Sequence, residues 1–221
     1  MGESLSRQTV LNEIQDCGAV VILRLTNSDK ILQIAEAIIQ GGMKAIEVTL
    51  NTPGAIEAIS KLCKTLGDKI LIGAGTVLNG DEAEKAIHAG AKYVISPVFK
   101  PEIIHMAHAH DCPAVPGCMT PTEMLQAHEA GADVIKLFPA ESFGPEYMRS
   151  IMAPLNHLRI MPTGGVHASN AGDWISAGAF CLGVGSAILD KKAIAANDFQ
   201  ALNKKARDFK EAIQHAREQI H

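Results

Sequence analysis

The chain has 221 residues, 47% of them hydrophobic and 20% charged, enough for one large core, and a barrel of this length needs no partition into domains. A formal net charge of -4 leaves no basic footprint, which argues against nucleic acid or an anionic membrane as partner and for a small molecule. Five scattered cysteines without a C-x-x-C pair, a start with no apolar export core and no apolar run of about 18 residues point to reduced thiols and a cytoplasmic location.

Met1-Gly2-Glu3-Ser4-Leu5-Ser6 fits the short myristoylation pattern, which is common by chance; an ordinary start leading into a helix over residues 5–16 is the simpler reading. From there, short β-branched runs alternate with helical patterns that open near Ser, Thr, Asp or Pro and close near Gly. Strands are expected at 19–25, 44–50, 70–75, 92–96, 113–116, 133–137, 159–163 and 180–185. Helices are expected from about Asp29, Pro53, Gly80, Pro101, Thr120, Pro145 and Ser169, with one or two closing helices after Asp190. The segments Gly41-Gly42-Met43-Lys44, Ala89-Gly90-Ala91-Lys92, Ala130-Gly131-Ala132-Asp133 and Ala177-Gly178-Ala179-Phe180 each end a helix and open a strand, with glycine supplying the left-handed stop. Residues 1–221 therefore read as a single (β/α)8 TIM barrel with an extra N-terminal helix and a C-terminal helical extension. An open doubly wound sheet would want a dinucleotide fingerprint at its first turn, and none stands there.

Barrels carry their chemistry at the C-terminal ends of their strands. The strand ends here are Arg24, Glu47, Thr76, Ser96-Pro97, Pro116-Gly117, Lys136, Thr163-Gly164-Gly165 and Gly185-Ser186. Lys136 interrupts the apolar run Val134-Ile135-Lys136-Leu137-Phe138-Pro139. An unpaired lysine in such a strand either sits at its exposed end or is held neutral for chemistry, where it can attack a ketone to form a Schiff base. That chemistry needs a proton shuttle, for which Glu47 is the nearest candidate by strand position, while Arg24 and the Thr76 hydroxyl can orient a substrate carboxylate. The plainer reading of Arg24 and Glu47 is a salt bridge at the core's rim.

Glycines at Gly164-Gly165 and in Gly183-Val184-Gly185-Ser186 fall where barrels often hold phosphate on bare backbone N–H groups, or else simply make tight turns. His105, His108, His110 and Cys112 cluster in H-M-A-H-A-H-D-C, but a surface helix face explains them better than a metal, and no metal is expected. Neither a full dinucleotide loop nor a Walker A sequence occurs, so no cofactor is expected either. The charges of residues 204–210 read as the solvated face of a terminal helix, with Ala201, Leu202, Phe209 and Ile213 available to pack inward.

With V-I-L-R, I-E-V-T-L, I-G-A-G-T-V, P-G-C-M-T-P-T-E, V-I-K-L-F-P-A, P-T-G-G-V and G-V-G-S in place over residues 18–189, the chain closely resembles the class I 2-keto-3-deoxy-6-phosphogluconate/4-hydroxy-2-oxoglutarate (KDPG/KHG) aldolase family. The resemblance implies a metal-free, pyruvate-dependent lyase that acts as a homotrimer on a small keto-sugar-acid phosphate. It matches Lys136 to the Schiff-base lysine and Glu47 to the general acid/base. It also implies that Arg24 and Thr76 contact substrate, that Pro97 and Phe138 shape the pyruvate pocket, and that Gly164, Gly165 and Ser186 hold the distal phosphate. One departure is E-V-T-L-N-T-P, where Asn51 replaces the arginine common in the phosphogluconate branch; this form looks more like the phosphogalactonate-type branch. A neutral amide cannot make that arginine's bidentate, charge-assisted contact. Two other classes fit the same barrel: a phosphosugar epimerase or isomerase using Glu47 as base without a covalent step, and a catalytically silent phosphosugar-binding barrel.

Overall fold

The computed structural model describes residues 5–219, so residues 1–4 of the acylation pattern lie outside the described residues. The first helix, α1 (Arg7–Cys17), opens on Ser6, whose hydroxyl accepts from the Thr9 N–H, and stops at Gly18 with φ of 81°. Nine strand segments follow, all paired in parallel: β1 (Ala19–Leu23), β2 (Ala45–Thr49), β3 (Leu71–Gly75), β4 (Val94–Ile95), β5 (Ala114–Val115), β6 (Gly117–Cys118), β7 (Ile135–Leu137), β8 (Ile160–Pro162) and β9 (Leu182–Val184). Between and after them run α2 (Ile31–Gln40), α3 (Ala55–Leu66), α4 (Gly80–His88), α5 (Pro101–Ala109), α6 (Pro121–Glu129), α7 (Gly144–Met152), α8 (Ala171–Ser176), α9 (Lys191–Ala195) and α10 (Phe199–Glu218). The eight expected strands and their intervening helices are present, and Gly42, Gly90, Gly131 and Gly178 take φ of 88°, 110°, 96° and 98° at the four helix ends.

The fifth strand differs from its expected single run. Six strands pair in the order β5-β4-β3-β2-β1-β9 and three in the order β6-β7-β8. These two sheets meet where Thr163 bridges Gly183, and again where β5 continues into β6 across Pro116. Proline donates no hydrogen bond, so the ladder breaks there. Its carbonyl still accepts from the Lys136 N–H at 2.9 Å, handing the chain from β4 to β7. The result is a closed (β/α)8 barrel.

The terminal helix α10 packs against α2 and α8 with Leu202, Ala206, Phe209 and Ile213 buried, and turns its charges outward, Lys204 pairing with Asp208 at 2.7 Å. Ala201, expected to pack inward, is half-buried. Gly41 is what lets α10 come so close: a Cβ there would collide with Ala206 and with the carbonyl of Asn203. Lys210 donates to the Cys17 carbonyl at 2.9 Å and Arg217 to those of Gln15 and Asp16, covering the negative end of α1 with cations.

Parallel partners in register project to the same face of a sheet. Glu47 is in register with Ile22 and Gly73, Thr49 with Gly75, Lys136 with Gly117 and Met161, and Val20 with Gly183. Glu47 and Lys136 thus share the barrel interior with a set of glycines that leave room around them.

Candidate active site

Lys136 occupies the middle of β7 and is only 3% exposed, so it is not at a solvated strand end. Its Nζ lies 5.0 Å from the centroid of the Phe138 ring. Glu47, in β2, is 1% exposed, and neither carboxylate oxygen has a hydrogen-bond partner among the described residues. Burial pushes its carboxyl above the ordinary value of 4.5, opposed by the charges of Lys136 and, more weakly, Arg24. Among the described residues Arg24 and Glu47 form no salt bridge, and the nearby cations act on the carboxyl only through space.

Glycines shape the space under Glu47. A Cβ on Gly75 would overlap the Glu47 carboxylate, and one on Gly73 would run into the Tyr93 ring. Tyr93 is fully buried and its hydroxyl donates to the Ile46 carbonyl at 2.6 Å, so the ring forms a fixed floor below the carboxylate.

Arg24 is exposed, one residue past β1, and two threonines fix the backbone on either side of it. The Thr49 hydroxyl donates to the Leu23 carbonyl at 3.3 Å, the Leu25 N–H donates to Thr52 Oγ1 at 3.1 Å, and the two hydroxyls lie 3.2 Å apart. Thr76, directly after β3, has φ of 57°. A β-branched residue in the left-handed region costs about 1–3 kcal/mol, a strain that surrounding structure must hold in place. The Val77 N–H supplies part of that hold by donating to the Ile95 carbonyl at 3.2 Å.

Pro97 is half-buried on the loop after β4, its carbonyl packed so closely on Gly117 that no Cβ would fit there. Gly164 and Gly165 follow β8 with φ of 103° and 67°, and Glu141 packs against Gly165. Ser186 is exposed in the turn after β9, where the N–H groups of Ile188 and Leu189 both donate to the Gly185 carbonyl at 3.0 Å. Of the nine residues singled out in the sequence, Arg24, Thr76, Pro97, Phe138, Gly164, Gly165 and Ser186 lie just beyond the C-terminal ends of β1, β3, β4, β7, β8 and β9, while Glu47 and Lys136 stand within β2 and β7. Asn51 lies exposed on the loop after β2, lining a shallow recess of about 420 Å³ with Thr52, Pro53 and Lys85.

The sequence names Thr163 only as a strand end, with no role given to it, and does not single out Thr49, Thr52 or Tyr93. Thr163 is 4% exposed, its hydroxyl has no partner among the described residues, and it stands two residues beyond Met161 on the face that carries Lys136. Thr49, Thr52 and Tyr93 act through hydrogen bonds between strands, for which the chain gives no local signal. A cavity of about 870 Å³ opens at the opposite end of the barrel among Cys17, Lys44, Ile70 and Lys92, away from Lys136. The histidine run does not converge on a metal as a group: His108 pairs with Asp133 at 2.9 Å, His105 is exposed, and burial pushes the Cys112 thiol up to about 12.

A family model described as "KDPG and KHG aldolase" matches residues 10–205. The chain belongs to the KDPG and KHG aldolase family. It is 35% identical over 192 residues to the 2-dehydro-3-deoxy-phosphogluconate aldolase of Treponema pallidum (strain Nichols), covering 86% of this chain and 91% of that one. It is 36% identical over 168 residues to the 2-dehydro-3-deoxy-6-phosphogalactonate aldolase of Escherichia coli (strain K12), covering 76% and 82%. The KDPG aldolase from Legionella pneumophila, solved with pyruvate captured at low pH as a covalent carbinolamine intermediate, superposes with a TM-score of 0.83 at 27% identity, covering 93% of this chain and 98% of that one. This aldolase is accordingly a class I carbon–carbon lyase on a TIM barrel.

Proposed function

We propose that this aldolase cleaves a 2-keto-3-deoxy-6-phospho sugar acid of the phosphogalactonate type to pyruvate and glyceraldehyde 3-phosphate, with Lys136 as nucleophile and Glu47 as proton shuttle. One observation carries the reading: a buried lysine shares the barrel interior with a buried carboxylate that has no hydrogen bond of its own and feels the lysine's charge. The uncharged amine of Lys136 adds to the C2 carbonyl, and loss of water gives an iminium. Glu47 moves protons through that dehydration and then accepts the C4 hydroxyl proton as the C3–C4 bond breaks, the electron pair passing into the iminium to leave an enamine. Protonation of the enamine at C3 and hydrolysis release pyruvate and the free amine.

Arg24 and Thr76 orient the carboxylate end, Pro97 and Phe138 enclose the pyruvate portion, and the backbone at Gly164 and Gly165 with Ser186 receives the distal phosphate. Asn51 in place of an arginine supports the galactonate branch, with Arg24 taking the larger share of substrate recognition. A homotrimer in the cytoplasm belongs to the same reading; exposed Leu78 and Val98, both 43% accessible, and five unpaired thiols support it.

The test is pyruvate release from phosphogluconate-derived, phosphogalactonate-derived and 4-hydroxy-2-oxoglutarate substrates, with borohydride trapping of pyruvate in parallel. The phosphogalactonate compound should give the highest kcat/KM, and Lys136→Ala should abolish both release and trapping. Trapping that persists in the variant removes Lys136 from the mechanism, and a preference for another substrate removes the galactonate assignment.

A further inference from the structure

We propose that Glu84, His88 and His110 form a binding site for one late first-row divalent ion, of which Zn2+ is the type, at the barrel end remote from Lys136. Their ligand atoms all lie within 4.8 Å of one another. Bonds of about 2.0–2.1 Å in tetrahedral geometry place ligand atoms about 3.3 Å apart, and small rotamer adjustments of the exposed His88 and His110 and the half-buried Glu84 cover that difference. The His88 and His110 ring centroids are 5.2 Å apart with planes at 83°, so two nitrogens can approach one point from different directions.

The backbone makes this grouping a fixed one. Glu84 and His88 stand four residues apart on α4, on the face opposite buried Ala83 and Ala86. The helix then closes through Gly90, whose N–H donates to the Ile87 carbonyl at 2.8 Å, while the Ala91 N–H reaches the Ala86 carbonyl at 3.0 Å. His110 caps α5, held by its own N–H to the Ala107 carbonyl at 3.0 Å and by Asp111 in the left-handed region, φ 51°. Both imidazoles thus sit at helix C-termini, where the backbone dipoles favour a cation. Among the described residues, none of the three side chains makes a hydrogen bond or ion pair, in contrast to His108, which is committed to Asp133.

Two imidazoles and one carboxylate suit Zn2+, Ni2+ or Cu2+ rather than Mg2+ or Ca2+, which want oxygen donors. Three protein ligands leave a position for water, and the bound ion would join the ends of α4 and α5.

The experiment is calorimetric titration of the untagged, chelator-stripped full chain with Zn2+, with Mg2+ as comparison and Co2+ absorption as a probe of ligand type. One Zn2+ per chain should bind and raise Tm, Mg2+ should not compete, and Co2+ should give d–d bands without a thiolate charge-transfer band. His88→Ala and His110→Ala should each weaken binding by about 100-fold or more, beyond the range typical of outer partners, and remove the Zn2+-dependent rise in Tm. Metal-free pyruvate release should match the parent in both variants, which reports that they fold. The site is refuted by non-saturable binding, by a thiolate band, or by unchanged stoichiometry and affinity in the two variants.

Discussion

The carboxylate of Glu47 lies over Gly75 so closely that a methyl group on that glycine would occupy the same space. Two neighbouring strands thereby fix the height of the carboxylate above the barrel floor, since Gly75 is in register with Thr49 on the strand that carries Glu47. Gly75→Ala should displace the carboxylate and cost about 1–3 kcal/mol of stability, the usual range for overpacking. Turnover should fall far more than thermal denaturation does. Gly80→Ala, at the start of α4, is the control, because an added Cβ there meets nothing nearer than the Glu102 carbonyl at 3.7 Å. Equal turnover in the two variants would show that Glu47 need not hold its place.

Glu47→Gln should lower kcat by about 10²- to 10⁴-fold, the span typical of a general acid–base group. Its stability should move the other way. Burial raises the carboxyl above its ordinary 4.5, so above that pH the unfolded chain releases a proton that the folded chain retains. Folding is thus penalised increasingly as pH rises from 4.5 toward the folded-state value, and stability is greatest below that window. Glutamine abolishes the penalty. Denaturant melts over a pH series should show the variant gaining on the parent as pH rises; a constant difference would contradict the raised carboxyl.

Thr163 carries a hydroxyl that is buried without a partner, a group that costs about 1–3 kcal/mol when left unsatisfied. Thr163→Val should therefore leave stability unchanged or raise it, while lowering kcat/KM if the hydroxyl meets substrate beside Lys136. Thr163→Ser keeps the oxygen and should retain most activity. Parallel melts and kinetics on the pair decide it, and a valine variant as active as the parent assigns Thr163 to packing alone.

Thr52 accepts from the backbone on one side of Arg24, and Thr49 donates to the other side. Thr52→Val breaks the first contact and strands the Leu25 N–H, at a cost of about 1–3 kcal/mol. If Arg24 binds the carboxylate end of the substrate, KM should rise more than kcat falls, and the pyruvate-trapping rate at saturation should be preserved. An unchanged KM would separate Arg24 from substrate.

The barrel was legible because its signals are local: apolar runs of strand length, capped helices and glycine stops recur along the chain, and the strand ends name their own polar residues. Arg24, Glu47 and Lys136 stand out as charges flanked by apolar neighbours. What stayed hidden depends on register between segments far apart in sequence. Nothing near Thr49 or Thr52 announces that they will secure Arg24, and nothing near Tyr93 announces that it will underlie Glu47. His110 belongs by sequence with His105 and His108, but its side chain meets His88 from another helix. The interruption at Pro116 could be foreseen as a proline; its change of partner strand could not.

That interruption divides the wall into two leaves, one bearing Lys136 and the other bearing Arg24, Glu47 and Thr76. The amine and the carboxylate are thus not neighbours on a continuous hydrogen-bonded ladder. Their separation is set where the leaves join, at an imino acid on one side and a lone threonine–glycine bridge on the other. The placement of Lys136 relative to Glu47 in this barrel is a property of its two joints, and substitutions there can shift one against the other without altering either side chain.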